Sequence, residues 1–97
     1  MTLAEFQLTL NKKTPPEGLG QNLLALWYDG IGNWDEAHEI VQETSGFEGD
    51  WIHAYLHRKE GDLSNASYWY TRVGKNIPEG SLEEEWNQIV IYMLRMF

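Results

Sequence analysis

The chain contains no cysteine among its 97 residues. Disulfide bonds and thiolate metal sites are therefore excluded. It also lacks an apolar run of about 18 residues, the length that marks a membrane-spanning helix. The first residues show neither the basic segment nor the apolar stretch of a signal peptide. We therefore expect a cytoplasmic protein that does not span a membrane.

Basic residues are few: 7 lysines and arginines stand against 15 aspartates and glutamates, which gives a net charge of −8. Proteins that bind nucleic acid gain most of their affinity by neutralising phosphates, and an acidic chain repels them. The same repulsion acts at anionic membrane surfaces. We therefore expect neither nucleic acid nor a membrane as a partner.

Sequence motifs of catalysis are also missing. There is no nucleophile elbow, no phosphate-binding loop and no dinucleotide fingerprint. No pair of acidic residues has the surroundings of a catalytic acid and base. We therefore expect a protein that is not an enzyme and carries no cofactor.

The pattern that is present is helical. Apolar residues recur at spacings of three and four, and no segment shows the alternation of a strand. Capping signals precede several of these stretches: Thr2 and Ser81 each have a glutamate three residues later, and Asn33 and Asp62 follow helix-ending glycines. The sequence predicts one all-α domain over residues 1–97 with about six helices, at 2–12, 19–28, 34–44, 50–60, 63–73 and 82–97.

Two of the predicted helical hairpins are related by an ungapped internal repeat. Three small residues recur 29 positions later, with Ala25, Gly32 and Ala37 returning as Ala54, Gly61 and Ala66. Alanines let two helices approach closely, and glycine adopts the positive φ of a tight turn without steric cost. A fixed period of this size is typical of stacked helical units.

The repeat resembles the tetratricopeptide repeat family over residues 19–78, with a period of 29 rather than the family's ~34. The first unit matches the motif at Leu24, Ala25, Tyr28, Gly32, Trp34 and Ala37, and the second at Ala54, Gly61, Ala66, Tyr70 and Pro78. The resemblance implies antiparallel hairpins stacked in a short right-handed array. The last helix does not continue the motif, and we expect it to be a cap. The resemblance also implies a non-catalytic module that binds a protein or peptide.

The same resemblance implies a binding groove on the first helix of each unit. Seven residues fall at positions that face inward in the family: Asn22, Leu26, Asp29, Trp51, Tyr55, Arg58 and Lys59. Four of them are chosen here for their chemistry. Trp51 and Tyr55 would supply apolar contact, while Asn22 and Arg58 would orient a partner. We predict these four residues as the partner-binding site.

Three histidines suggest an alternative. His53 and His57 are four residues apart on one predicted helix, a spacing that allows both imidazoles to bind one metal ion. His38 lies on the preceding helix, on the stripe of Trp34 that we expect to face His53. The zincin glutamate is absent, and half-buried histidines that only hydrogen-bond are common. Our first interpretation is therefore no metal site, with a metal- or small-molecule-binding protein using His38, His53 and His57 as the alternative.

The last predicted helix is apolar on nearly all sides over residues 89–94, and Met96 and Phe97 follow. Such a helix is either wedged between others or pairs with a second copy. The sequence therefore leaves two expectations open for it: a cap within the chain, or the interface of a homodimer.

Overall fold

The computed structural model describes residues 1–97 and contains six α-helices and no strand. The helices are α1 (Leu3–Thr9), α2 (Gln21–Gly30), α3 (Trp34–Gln42), α4 (Phe47–Glu60), α5 (Leu63–Arg72) and α6 (Leu82–Met96). The prediction of an all-α fold with about six helices is confirmed.

The predicted capping residues start their helices. Thr2 forms a full capping box, in which its hydroxyl accepts from the Glu5 amide and the Glu5 carboxylate accepts from the Thr2 amide. Asn33, Asp62 and Ser81 each accept the amide three residues ahead. Each of these bonds satisfies an amide that the helix itself leaves unpaired.

Helix α4 begins at Phe47, three residues before the predicted start at Asp50. Its N-cap is Gly46, which has φ 103° and no side chain that could cap. The Gly46 carbonyl accepts the Asp50 amide at 3.0 Å and closes the first turn. The sequence therefore carries no capping signal at the true start.

The turns inside the two hairpins have the same backbone geometry. Gly32 and Gly61 adopt φ 88° and 89°. The next amide, of Asn33 or Asp62, donates to the carbonyl five residues earlier at 2.8 or 3.0 Å. Glycine is required here, because a side chain at positive φ would be strained.

Helices α2 and α3 form one hairpin and α4 and α5 the next, and α3 packs on α4 so that the hairpins stack. Helix α6 lies against both α2 and α4, and α1 covers part of α6. The repeated alanines are all fully buried within these contacts: Ala25, Ala37, Ala54 and Ala66. Their burial agrees with the prediction that small residues lie where helices pack, and the last helix packs within the chain.

No helix combines the length and the apolar composition that crossing a membrane requires.

Candidate functional site

The groove between α2 and α4, where a partner was predicted to bind, is occupied by α6 of the same chain. Trp51 and Tyr55 are only 7% and 2% exposed, and the Arg58 side chain is 13% exposed. All three lie on α4 on the side covered by α6. Tyr55 can be reached only at a cavity of about 250 Å³ that it lines with Asp29, Lys59 and Trp86.

Helix α6 is held in this groove by a buried carboxylate, that of Glu85, which is 2% exposed. It accepts the Trp51 indole N–H at 3.2 Å, the Tyr70 hydroxyl at 2.6 Å and the Arg58 guanidinium at 3.0 Å. Arg58 also donates to the Gly80 carbonyl. Burial and the bond to Glu85 raise the pKa of Tyr70, so its hydroxyl keeps its proton and donates. The arginine that was predicted to orient a partner thus pairs within the chain.

A second buried carboxylate, that of Asp29 in α2, accepts a hydrogen bond from Tyr55. The tyrosine hydroxyl donates to Asp29 at 3.0 Å, and Lys59 donates to the other carboxylate oxygen at 2.9 Å. Burial, together with the charge of Asp29, raises the pKa of Tyr55. The two networks join α2, α4, α5 and α6 through polar bonds inside the groove.

The burial of Glu85 was not predicted, although the sequence holds a signal for it. As an acidic residue in the first turn, Glu85 favours the N-terminus of its helix. It also lies three or four residues from Leu82 and Ile89, on the apolar stripe of α6. A carboxylate on a buried stripe requires hydrogen-bond donors, and that requirement indicates a buried network.

Asn22 lies apart from the other three predicted residues. Its side-chain oxygen is buried and has no hydrogen-bond partner. It borders a cavity of about 240 Å³ whose wall includes Leu23 of α2 and Met93 and Phe97 at the end of α6. This places an unpaired acceptor beside the C-terminus of α6.

The C-terminal half of α6 is apolar on its outer side as well. Met96 is 59% exposed and Phe97 73%, and Phe47 at the start of α4 is 40% exposed nearby. A cavity of about 450 Å³ lies along this surface, lined by Trp51, Gln88, Ile91, Tyr92, Arg95 and Met96. A further cavity, of about 320 Å³, lies between Leu3 near the start of the chain and the same half of α6. Three of the four cavities in the structure therefore border this half-helix.

The three histidines meet between the hairpins. The Nε2 atoms of His38 and His53 are 3.1 Å apart, and one ring nitrogen from each of His38, His53 and His57 lies within 4.8 Å of the others. The expectation that His38 faces His53 is confirmed. The Nδ1 of His57 bonds the Glu60 carboxylate at 2.6 Å, a contact that was not predicted.

Two indole rings cover this cluster. Trp34 stacks on His38 with ring centres 4.8 Å apart, and Trp69 stacks on His53 at 4.0 Å. Burial lowers the pKa of His53 to about 4, and the nearby His38 and His57 shift it in the same direction. Burial also lowers the pKa of His38. None of the four cavities is lined by a histidine.

Comparison of the chain with protein-family models, curated proteins and solved structures finds no match. The resemblance to tetratricopeptide repeats therefore stays a prediction.

Proposed function

We propose that the protein is a non-catalytic interaction module that binds a protein or peptide through the outer face of the C-terminal half of α6. The observation that supports this most is the exposure of Met96 and Phe97 beside a cavity of about 450 Å³ on the outer side of α6. Exposed apolar patches of this kind usually mark interaction sites. Cavities beside such a patch can receive the anchoring side chains of a partner.

The polar groups at this surface indicate the chemistry of the partner. Arg95 is exposed and forms no ion pair within the chain. A partner segment with apolar side chains and one carboxylate would pair with it.

Of the four residues predicted from the resemblance, Trp51 lines the cavity beside Met96 and would touch the partner. Asn22 lies beside the fully buried Met93, on the other side of α6, and would not touch it. Tyr55 and Arg58 would act indirectly, because their bonds to Asp29 and Glu85 position α6 in its groove.

A second copy of the chain is the second candidate partner. The observation that favours it is the exposure of Met96 and Phe97 at the tip of a helix whose other side is fully packed. Two such faces could pair isologously. The mass of the protein in solution at micromolar concentration distinguishes this candidate, since a strict monomer would exclude it.

We expect Met96→Glu to abolish partner capture while leaving the fold intact. Met96 is largely exposed, so the charge costs little in the free protein. In a complex the same carboxylate would be buried without a partner, which costs several kcal/mol. The measurement is affinity capture with the wild-type chain and the variant as baits, compared protein by protein.

Leu63→Glu is the matched control, because Leu63 is 56% exposed at the start of α5, away from α6. Proteins retained by wild type and Leu63→Glu but lost with Met96→Glu support the proposal. Equal capture by all three baits would show that the α6 surface is not the binding site.

A further inference from the structure

Three imidazoles from two different hairpins converge at one point. His38 belongs to α3, while His53 and His57 lie one turn apart on α4. A tetrahedral metal ion with nitrogen ligands at about 2.0–2.1 Å places those nitrogens roughly 3.3 Å apart. The observed 3.1 Å between His38 and His53 is close to this value. The remaining separations are at most 4.8 Å, within about 1.5 Å of the tetrahedral value.

The bond between His57 and Glu60 orients the third imidazole. A carboxylate accepts, so the Nδ1 of His57 carries the proton that it donates at 2.6 Å. In the neutral imidazole, Nε2 then keeps a lone pair for a ligand. Histidines that bind metal ions usually donate their other N–H to a carboxylate or carbonyl in this way. The simpler interpretation is a hydrogen bond between His38 and His53. It does not account for the position of His57 or for its bond to Glu60.

The rings are also held in place by packing. Trp34 stacks on His38, and its indole N–H donates to the Leu56 carbonyl at 2.8 Å. On the other side, Trp69 stacks on His53 with an angle of 16° between the rings. Ligands fixed by their surroundings lose little freedom when an ion binds.

The charges nearby do not oppose a cation. Arg58 and Lys59, which follow His57 on α4, point away from the histidines to Glu85 and Asp29. The closest carboxylate is that of Glu60. The whole chain is strongly acidic, with a net charge of −8.

We propose that His38, His53 and His57 bind one divalent transition-metal ion of the Zn²⁺ class and thereby fasten α3 to α4. A set of imidazoles suits Zn²⁺, Co²⁺, Ni²⁺ or Cu²⁺ rather than Mg²⁺ or Ca²⁺. Three imidazoles fill three of the four tetrahedral positions around such an ion. No cavity opens onto the histidines, so the ion stabilises the contact between the hairpins and does not activate a substrate. This site is independent of the α6 surface.

The test is titration of the purified full chain with Co²⁺ at neutral pH. We expect uptake to saturate at one ion per chain, with the intense visible absorption of tetrahedral nitrogen coordination, and Zn²⁺ to displace it. Zn²⁺ at 100 times its dissociation constant should raise the ratio of folded to unfolded protein about 100-fold. Glu60→Gln should weaken binding roughly 10- to 100-fold.

Each of His38→Gln, His53→Gln and His57→Gln should lose this uptake. The control is Asp62→Asn, which keeps the N-cap of α5 and leaves the site unchanged. It also tests the rival group of His57, Glu60 and Asp62, two of which are exposed. Uptake that survives His38→Gln and His53→Gln but disappears in Asp62→Asn would assign the ion to that rival.

Circular dichroism shows whether each histidine variant is folded. If a histidine variant is unfolded, the Co²⁺ spectrum of the wild-type protein tests the proposal instead. Weak octahedral Co²⁺ bands, or no uptake at all, would overturn it.

Discussion

Replacing Glu85 by glutamine should lower the free energy of unfolding by about 3 to 5 kcal/mol, the usual cost of breaking a buried ion pair. Glutamine has nearly the same shape, so packing against Trp51 and Tyr70 is retained. Arg58 then loses its counter-ion in a site where only 13% of its side chain is exposed. The amide also presents one oxygen where two accepted before.

Chemical denaturation followed by circular dichroism measures this change, and Glu83→Gln is the matched control. Glu83 is exposed, two residues away on the same turn of α6, so its replacement should cost no more than about 0.5 kcal/mol. If the Glu85 and Glu83 variants are equally stable, α6 is not anchored by the buried carboxylate.

The second large effect is expected at Tyr55. Tyr55→Ala should cost about 3 to 5 kcal/mol, because it opens a cavity in the core and removes a donor from Asp29. Natural domains have a total stability of roughly 5–15 kcal/mol, so this loss removes a large fraction of it. Thermal unfolding by calorimetry measures the loss.

Tyr68→Ala provides the comparison for a tyrosine whose side chain is 56% exposed, and it should change stability by about 0.5 kcal/mol or less. A Tyr55→Ala protein as stable as Tyr68→Ala would mean that Tyr55 is accessible and that α6 leaves the groove open. With the groove filled, loss of binding in Tyr55→Ala reports loss of the fold and cannot locate a binding site.

The helices and their turns were predictable because their determinants are local. Thr2, Asn33 and Asp62 cap through bonds to amides three residues away. Gly32 and Gly61 end helices through their own backbone freedom. The start of α4 was misplaced for the same reason, since Gly46 offers no side chain that marks it.

The occupant of the groove was not predictable from these local signals. The periodicity of α6 shows which side is apolar, but it does not show which surface that side covers. The family resemblance assigns inward positions to Trp51, Tyr55 and Arg58 without stating what fills the space in front of them. Their bonds to Glu85 and Asp29 join residues 26 to 34 positions apart and arise only from tertiary packing.

The histidine cluster was predictable in part. The four-residue spacing of His53 and His57 and the stripe shared by His38 and Trp34 were sufficient to predict convergence. The stacking of Trp69 on His53 depends on how α5 packs against α4, which spacing within one helix does not determine. The bond from His57 to Glu60 spans a single helical turn, and the i, i+3 spacing could have indicated it.

Site-specific photo-crosslinking decides whether the outer face of α6 binds a partner. A photoreactive amino acid is placed at Met96 in one protein and at Leu63 in another, and both are irradiated in cells that express the full chain. We expect a covalent adduct with a partner protein, or with a second copy of the chain, from position 96 and none from position 63. No adduct at position 96, or an adduct only at position 63, would contradict binding through α6.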